Sequence, residues 1–312
     1  MKIQNTHILS GIKGEPVMIT VGMFDGVHRG HSYFIRKMEE KAKKMSFVPV
    51  VITLDPHPHE ILSDQEFRYL TTVKEKQELL KQLGIQHVLI LQTTQSLLQK
   101  SGVEFVEDLK AAGLNVKSVA MGYNNHFGNT ENHDSDINKM IKENKITVFS
   151  VDEFSEKINS TLIREKLRLG KVDDAAVMLG HPYMLYGTVV EGNKLGRTIG
   201  FPTANIQVTS VEKMIPAAGV YAVICQVGGK EFPGMMNIGY RPTLREEIKK
   251  LVLEVHVPGE KLDIYNTDVI IEFCKKIRDE KQFNDMEELK IQLEKDKNFI
   301  KSYFSDNFAS YH

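Results

Sequence analysis

The sequence predicts an α/β domain built on a doubly wound parallel sheet, followed by a small antiparallel β-barrel with a terminal helix. In the first half, apolar strand-like runs alternate with amphipathic helical patterns, which is typical of a parallel sheet. After Gly180, strand-like runs separated by turn residues dominate until one last amphipathic helix. A chain of 312 residues exceeds what a single core usually holds. We therefore expect one domain at residues 1–183 and a second at residues 184–312.

The first half is expected to contain strands and helices that follow one another in turn. Each predicted strand is a short apolar run bounded by polar or turn residues, as the buried strands of parallel sheets are. The strands are 17–21, 48–54, 88–91, 116–121 and 146–151. The helices are 32–45, 74–83, 103–112 and 136–144. In such a sheet ligands bind at the carboxyl ends of the strands, so we expect the functional site there.

The second half is expected to form the barrel. A helical pattern at residues 168–179 stops at residues 180–182, Gly-His-Pro, because glycine and proline both end helices. The strand-like runs that follow are 184–190, 219–227, 232–238, 251–257 and 269–274. Turn residues separate these runs, a pattern that favours an antiparallel sheet closed as a barrel. The last helix, 286–303, is amphipathic, and the side expected to face the barrel carries Leu289, Leu293 and Ile300.

Composition indicates an ordinary globular protein. The 40 lysines and arginines nearly cancel the 41 aspartates and glutamates, so no basic field favours nucleic acid or a membrane surface. Cys225 and Cys274 lack metal-ligand spacing and lie in apolar runs, which favours buried thiols in a reducing compartment over a disulfide. The first residues lack the apolar core of a signal peptide, and no run reaches about 18 apolar residues. We expect a cytoplasmic protein with neither a nucleic-acid nor a membrane partner.

The most informative segment is residues 21–31, Val-Gly-Met-Phe-Asp-Gly-Val-His-Arg-Gly-His. It follows an apolar strand and leads into an amphipathic helix. His28 and His31 stand three residues apart at this strand-to-helix turn, where free backbone N–H groups bind anions. Glycine lets a backbone approach a phosphate closely because it has no Cβ. The segment therefore predicts a phosphate-binding turn, and a turn with two surface histidines is the alternative.

Three further clusters end strands or begin helices. Residues 53–58, Thr-Leu-Asp-Pro-His-Pro, follow the second strand, and a rigid proline loop is the alternative. Residues 122–128, Gly-Tyr-Asn-Asn-His-Phe-Gly, follow the fourth strand and offer amides, an imidazole and aromatic rings. Residues 159–164, Asn-Ser-Thr-Leu-Ile-Arg, begin a helix. Because Ser160 and Thr161 are residue types that cap helices, capping alone is the alternative for this cluster.

A glycine-rich segment in the second half also indicates phosphate binding. Residues 192–205 combine glycines with a cation, threonines and an asparagine, and the backbone amides of such a loop wrap phosphates. The glycine spacing departs from a Walker A motif, so we reject a P-loop. Magnesium prefers hard oxygen ligands, and the Thr203 hydroxyl and the Asn205 carbonyl are candidates to supply them. A glycine-rich hairpin is the alternative.

The predicted strand at residues 251–257 carries one acidic residue. Its alternation places Glu254 and His256 on one face and the apolar residues on the other. Phosphoryl transfer to a primary hydroxyl requires removal of the hydroxyl proton, and a carboxylate beside a phosphate-binding loop suits that task. A solvated glutamate on an exposed sheet face is the alternative.

The first half resembles a known family of enzymes. Residues 21–31 resemble the His-x-Gly-His signature of nucleotidyltransferases that transfer AMP from ATP, in the longer form of the FAD synthetase branch. The three clusters above are similar to further motifs of that branch, in the same order. The resemblance implies a Rossmann-like fold in which His28 and His31 contact ATP phosphates as pyrophosphate leaves. The flavin contacts it implies are Pro56, His57 and Pro58. The ATP-binding residues it implies are Gly22, Phe24, Asp25, His28, Gly30, His31, Asn124, Ser160, Thr161 and Arg164.

The second half resembles riboflavin kinase. Residues 196–205 match that family's Gly-Arg-x-x-Gly-Phe-Pro-Thr-Ala-Asn motif, and further matches follow in order at 219–221, 237–243, 254–256 and 277–283. The resemblance implies that Glu254 is the catalytic base and that Mg²⁺ is the cofactor, bound with ATP by Thr203 and Asn205. The phosphate-binding residues it implies are Gly192, Gly196, Arg197, Gly200, Thr203 and Asn205. The flavin contacts it implies are Arg278 and Glu280.

Together the two resemblances imply a bifunctional riboflavin kinase/FAD synthetase. Such an enzyme phosphorylates riboflavin to FMN and, as FMN adenylyltransferase, converts FMN and ATP to FAD, with ADP and pyrophosphate as by-products. Leu54, His126 and Asn159 replace common family residues, which motivates one alternative: a riboflavin kinase whose first domain has lost adenylylation and serves in flavin binding or regulation. A nucleotidyltransferase for another acceptor, such as phosphopantetheine, is a second alternative, against which the Pro-Thr-Ala-Asn segment argues. Self-association stays open.

Overall fold

The structure, a computed structural model, describes residues 1–63, 66–122, 142, 145–191, 200–242, 249–258 and 266–307. The chain divides into two compact units, Met1–Asn159 and Ser160–His312. Helices and strands are numbered below in chain order among the described residues. The helix predicted at 136–144 and most of the cluster predicted at 122–128 lie outside these ranges, as do residues 192–199 of the glycine-rich segment.

The first unit is built on the predicted parallel sheet. Its strand order is β3-β2-β1-β4-β5, which reverses between β1 and β4. Ile19 of β1 pairs with Val50 on one side and with Val119 on the other, and all three side chains are fully buried. Doubly wound sheets bind ligands where the strand order reverses, so the carboxyl ends of β1 and β4 mark the expected site. The strands are β1 (Pro16–Val21), β2 (Val48–Asp55), β3 (His87–Gln92), β4 (Asn115–Gly122) and β5 (Thr147–Val151).

The helices of the first unit start at capped positions. Helix α2 buries Phe34, Ile35 and Met38, the apolar stripe seen in the sequence. It begins three residues before the predicted start because His28 caps its first turn. Capping boxes open the helices that begin at Val73 and Gly102. The helices are α1 (His7–Gly11), α2 (Arg29–Lys44), α3 (Pro58–Leu62), α4 (Val73–Gln82), α5 (Gln95–Leu98) and α6 (Gly102–Ala111).

The second unit contains the predicted antiparallel barrel, closed in the order β10-β7-β6-β11-β8-β9. Buried and partly exposed residues alternate along β6, as expected when one face of a strand points into a core. Strand β7, which pairs with β6 and β10, was not predicted, because the glycine-rich segment was expected to run through Asn205, the second residue of this strand. The strands are β6 (Tyr183–Val190), β7 (Ala204–Val208), β8 (Gly219–Val227), β9 (Lys230–Pro242), β10 (Lys249–His256) and β11 (Asp268–Arg278).

Three helices of the second unit are described: α7 (Ser160–Arg168), α8 (Val172–Leu179) and α9 (Met286–Asn307). The prediction of one helix over 168–179 was wrong at its start. Gly170 adopts a φ of 72°, which ends α7 and lets α8 begin at Val172.

The predicted packing of the last helix is confirmed for Leu293 and Ile300. Ile300 and Phe304 of α9 are buried against Val220, Ala222 and Ile224 of β8, and Leu293 packs against the same cluster. Cys225 and Cys274 are free thiols and both are buried, as predicted. Among the described residues, we find no helix that combines the length and the apolar character needed to cross a bilayer.

Candidate active sites

The loop between β1 and α2 has an unusual backbone. Phe24 and Val27 have positive φ angles of 47° and 42°, and Gly26 has one of 83°. Residues other than glycine rarely adopt this conformation, and such strain persists where surrounding contacts fix it. Here the buried Asp25 carboxylate accepts hydrogen bonds from the backbone N–H groups of Leu70 and Thr71, each at 3.0 Å. Asp25, predicted to contact ATP, therefore anchors this loop to the segment at residues 70–71.

His28 and His31 lie side by side at the start of α2. Their ring centroids are 3.7 Å apart and their planes are 17° from parallel. His28 Nδ1 accepts the backbone N–H of His31 at 3.3 Å, so His28 also caps the helix. A Cβ on Gly30 would lie 3.2 Å from the His28 ring, a tight contact that glycine avoids. His31 Nδ1 is buried and has no hydrogen-bond partner among the described residues.

Burial keeps the two imidazoles neutral. Desolvation lowers the pKa of His28 to about 4, although the Asp25 carboxylate opposes the shift. The pKa of His31 lies well below its ordinary value because of burial, and its electrostatic interactions with His28 and Lys76 lower it further. A neutral imidazole still has one N–H to donate to a phosphate oxygen. The pair therefore offers hydrogen bonds at neutral pH without carrying charge.

A cavity of about 530 Å³ opens beside the histidines. Its walls come from the end of β1, the first turns of α2, Gly122 at the end of β4, and residues 152–159. It thus lies where the strand order reverses, as the fold predicts. Of the residues predicted for ATP binding, the cavity lining includes Gly22, Phe24, His28, Gly30 and His31.

The segment that forms the far wall of this cavity was not predicted from the sequence. Arg29 forms a two-pronged salt bridge with Glu156, with N–O distances of 2.6 and 2.7 Å. Phe154 packs against Tyr33 at 5.5 Å between ring centroids, and the Arg29 guanidinium lies over the Phe154 ring. These contacts attach residues 152–158 to the start of α2, close to the histidines.

Lys76 is a buried cation near the same site, and it too was not predicted. Its side chain on α4 is 3% exposed, and its Nζ donates to Thr53 Oγ1 at 3.0 Å. Burial lowers the pKa of Lys76 to about 8, although Asp25 and Asp55 raise it. At neutral pH Lys76 is still protonated, so it adds positive potential to a region that already offers hydrogen-bond donors.

The other residues predicted for this activity lie elsewhere or outside the described ranges. Pro56, His57 and Pro58 do not line the cavity; His57 caps α3, and its ring lies 4.2 Å from that of Phe67. Ser160, Thr161 and Arg164 belong to helix α7 of the second unit, which begins at Ser160, and Arg164 is buried. Asn124 lies outside the described residues.

The second unit has its own cavity, about 290 Å³ in volume, on the barrel face that α9 covers. Glu254 of β10 pairs directly with Asn205 of β7 and with Asn237 of β9. Residues paired across strands project from the same face of the sheet, so these side chains form one polar row. Glu254 and Asn237 line the cavity, and so does Thr203, which precedes β7. Asn205, predicted in a loop, lies instead on a strand.

His256 completes this polar wall. It lines the cavity beside Glu254, so the predicted shared face is confirmed. Its Nδ1 lies 2.8 Å from the Pro202 carbonyl, and its ring lies 5.2 Å from that of Phe201. Burial lowers the pKa of His256, which favours a neutral ring that donates to this carbonyl. His256 thereby fixes the segment between the glycine-rich loop and β7.

Arg278 and Glu280, predicted to contact flavin, also line this cavity. Arg278 ends β11, and its guanidinium is bound by the Asp296 carboxylate of α9. A Glu280 oxygen accepts the backbone N–H of Tyr240 at 3.3 Å. A Cβ at Gly239 would lie 2.3 Å from that oxygen, so glycine is needed to admit the carboxylate. Gly200 is described with a φ of 83°, whereas Gly192, Gly196 and Arg197 lie outside the described residues.

Comparison with known proteins places two families on this chain. The FAD synthetase family model matches residues 12–163, and the riboflavin kinase family model matches residues 179–304. The first match contains the His28–His31 cavity, and the second contains the Glu254 cavity.

Relatives match the chain over nearly its whole length. A bifunctional riboflavin kinase/FMN adenylyltransferase of Listeria monocytogenes is 35% identical, covering 92% of each chain. Proteins of the same name from Bacillus subtilis and Escherichia coli K12 are each 34% identical, covering 96% and 97% of both chains. A solved Streptococcus pneumoniae structure described as a macrolide-efflux protein is 28% identical with a TM-score of 0.81, covering 92% of this chain and 94% of that one. The chain belongs to the bifunctional riboflavin kinase/FMN adenylyltransferase family.

Proposed function

We propose that this protein phosphorylates riboflavin to FMN and then adenylylates FMN to FAD, each time with ATP. The observation that carries the proposal is the presence of two separate cavities, one within each family match, each lined by residues suited to its reaction. The cytoplasm is the proposed location, and the proposed partners are the small molecules alone. The division of the two activities at residues 183 and 184 stays a prediction.

The first cavity suits adenylyl transfer. A phosphate oxygen of FMN attacks the α-phosphorus of ATP, and the bond from that phosphorus to the bridging oxygen breaks as pyrophosphate leaves. FMN is already a nucleophile, so the protein has to position the reactants and stabilise the growing negative charge. We assign the stabilising hydrogen bonds to His28 and His31 and assign Lys76 the role of a fixed positive charge behind them.

The second cavity suits phosphoryl transfer. Glu254 accepts the proton of the ribityl 5′-hydroxyl as that oxygen bonds to the γ-phosphorus of ATP. The bond between the γ-phosphorus and the bridging oxygen breaks, and ADP leaves. Glu254 lies between two asparagines in the cross-strand row, so its carboxylate is held on a rigid sheet.

Magnesium bound with ATP is the proposed cofactor of the kinase site. Thr203 and Asn205 would hold it, since they supply hard oxygens next to Glu254, and the ion would neutralise phosphate charge during transfer. Both ligands are neutral, so we expect weak magnesium binding to the protein alone and much tighter binding with ADP present. Calorimetric titration of magnesium with and without ADP checks this. Tight magnesium binding that is the same with and without ADP would refute the assignment.

The proposed function is tested by incubating the protein with riboflavin, ATP and magnesium and separating the products by chromatography over time. We expect FMN first and FAD later, with pyrophosphate released in step with FAD. A reaction that ends at FMN would instead support a kinase that lacks adenylyl transfer.

A further inference from the structure

Asp296 is a buried carboxylate outside both sets of predicted site residues. It lies on α9, is 2% exposed, and does not line the cavity. Its Oδ2 accepts Arg278 Nε at 3.0 Å and Nη2 at 2.9 Å, and its Oδ1 accepts Gln292 Nε2 at 2.8 Å. A buried carboxylate is retained only when it is paired in this way. The partner it holds, Arg278, is a cavity-lining residue.

Arg278 is fixed from three directions. Asp296 binds its Nε and Nη2, its Nη1 donates to the Asp279 carbonyl at 3.1 Å, and the Phe283 ring lies 5.8 Å from the guanidinium carbon. The adjoining residues Glu280 and Phe283 line the cavity too. One ion pair between helix and strand end therefore fixes the segment that forms a wall of the cavity.

The pairing also decides what charge this wall presents. The Asp296 carboxylate neutralises the Arg278 guanidinium at hydrogen-bond distance, so a phosphate there would have to compete with a buried anion. The flat guanidinium, Phe283, and the apolar side chains of Met286 and Leu289 instead form a surface for a neutral planar ring. Lys281, which also lines the cavity, is paired with the Glu288 carboxylate at 3.2 Å, so both cations of this wall are already bound by carboxylates. The wall therefore favours the ring system of a flavin over the phosphates of ATP.

We propose that Asp296 is a positioning residue of the kinase site: it holds Arg278 flat against the cavity so that this wall binds the riboflavin ring. The proposal rests on the proposed function, in which the second unit phosphorylates riboflavin.

The test is Asp296→Asn, which keeps the shape and removes the charge that orients Arg278. Because charge-assisted hydrogen bonds are about twice as strong as neutral ones, we expect the KM for riboflavin to rise roughly 10-fold. The KM for ATP and kcat should change less than about 3-fold, within the effect of a distant substitution. Fluorescence titration of riboflavin in the absence of ATP should show the same weakening.

Ile300→Ala is the matched control. Ile300 lies one turn further along α9, is 1% exposed, and packs on the apolar cluster of the barrel. Ile300→Ala should lower the stability of the protein without raising the KM for riboflavin more than the KM for ATP. Equal changes in both KM values, or a riboflavin KM like that of the control, would overturn the proposal.

If Asp296→Asn does not fold, Gln292→Leu is the second variant. It removes only the hydrogen bond from Gln292 to the Asp296 carboxylate, and it should also raise the KM for riboflavin. A wild-type protein that makes no FMN would refute the proposed function itself, a result distinct from these.

Discussion

The two cavities differ in how the cations beside them are partnered. In the first unit Lys76 is buried and donates to the Thr53 hydroxyl, while the Asp25 and Asp55 carboxylates act on it only through space. The two histidines beside the cavity are neutral because they are desolvated. In the second unit Arg278 is bound directly by the buried Asp296. The first arrangement leaves positive potential and N–H donors for phosphates, whereas the second neutralises the Arg278 guanidinium. Burial thus keeps two hydrogen-bond donors neutral beside a cation at the first site, whereas direct pairing neutralises the cation at one wall of the second.

The largest effect is expected from His28→Ala combined with His31→Ala. This change removes both hydrogen-bond donors from a preorganised site, which should cost on the order of several kcal/mol in the transition state and abolish FAD formation. FMN formation should persist, because the kinase cavity is lined by other residues. Chromatography of products made from riboflavin, and separately from supplied FMN, measures both. Loss of kinase activity of similar size in a folded double variant would break the comparison.

The next effect is expected from Glu254→Gln, which keeps the side-chain shape and removes the base. A positioned carboxylate typically contributes about 10²–10⁴-fold, so FMN formation should fall by that order. Riboflavin binding and FAD formation from supplied FMN should change little. Glu272→Gln on β11, outside the cavity lining, is the matched control and should leave kinase turnover unaltered. Near-normal turnover in Glu254→Gln would show that Glu254 only positions substrate.

Lowering the pH should lower the stability of the first unit because the buried His28 imidazole resists protonation. The unfolded imidazole titrates near 6.5 and the folded one near 4, so the unfolded state binds the extra proton in between. The contribution of neutral His28 to stability is complete above pH 6.5 and is lost as the pH falls toward 4, at about 1.4 kcal/mol per pH unit. The His28→Asn variant has no imidazole to protonate at this position, and asparagine is still able to cap the helix. The stability difference between the wild type and His28→Asn, measured by urea unfolding at pH 7 and pH 5, should shift by about 2 kcal/mol against the wild type. A difference that does not vary with pH would contradict burial of a neutral imidazole.

The smallest effect is expected from Gly239→Ala. The added Cβ would meet the Glu280 carboxylate, which sits at the end of a flexible side chain and is able to move away. Stability should therefore change little, while the Glu280 hydrogen bond to Tyr240 is lost and the KM for riboflavin rises several-fold, about the value of one such bond. Steady-state kinetics and thermal unfolding together check this. An unchanged KM would remove Glu280 from the flavin contacts.

Sequence patterns predicted the architecture because the spacing of apolar residues and the positions of turn residues are local features of the chain. The parallel sheet followed from apolar runs alternating with amphipathic helices, and the barrel followed from short strands separated by turns. Strand β7 was missed because proline and glycine in the preceding segment indicate a loop, although 204–208 alternates in the structure. The short helices α1, α3 and α5 span too few residues for a helical period to be visible.

Buried charges were the part of the sites that the sequence did not reveal. Lys76 shares a helix face with Leu79 and Leu80, and Asp296 lies between Leu293 and Ile300 on the face predicted to pack on the barrel. Helical spacing thus contains a signal for both. A lysine or an aspartate on such a face is ordinarily taken as solvated, and only the tertiary partners Thr53 and Arg278 explain their burial.

Complementation between two variants tests whether the two units carry separable reactions. The His28→Ala/His31→Ala variant and the Glu254→Gln variant are incubated with riboflavin, ATP and magnesium, first singly and then mixed, and FAD is quantified. Singly, the first should accumulate FMN without FAD and the second should convert little riboflavin. Mixed, they should make FAD, because FMN released by one is adenylylated by the other. A mixture that makes no more FAD than the variants alone, although both are folded, would contradict two independent sites.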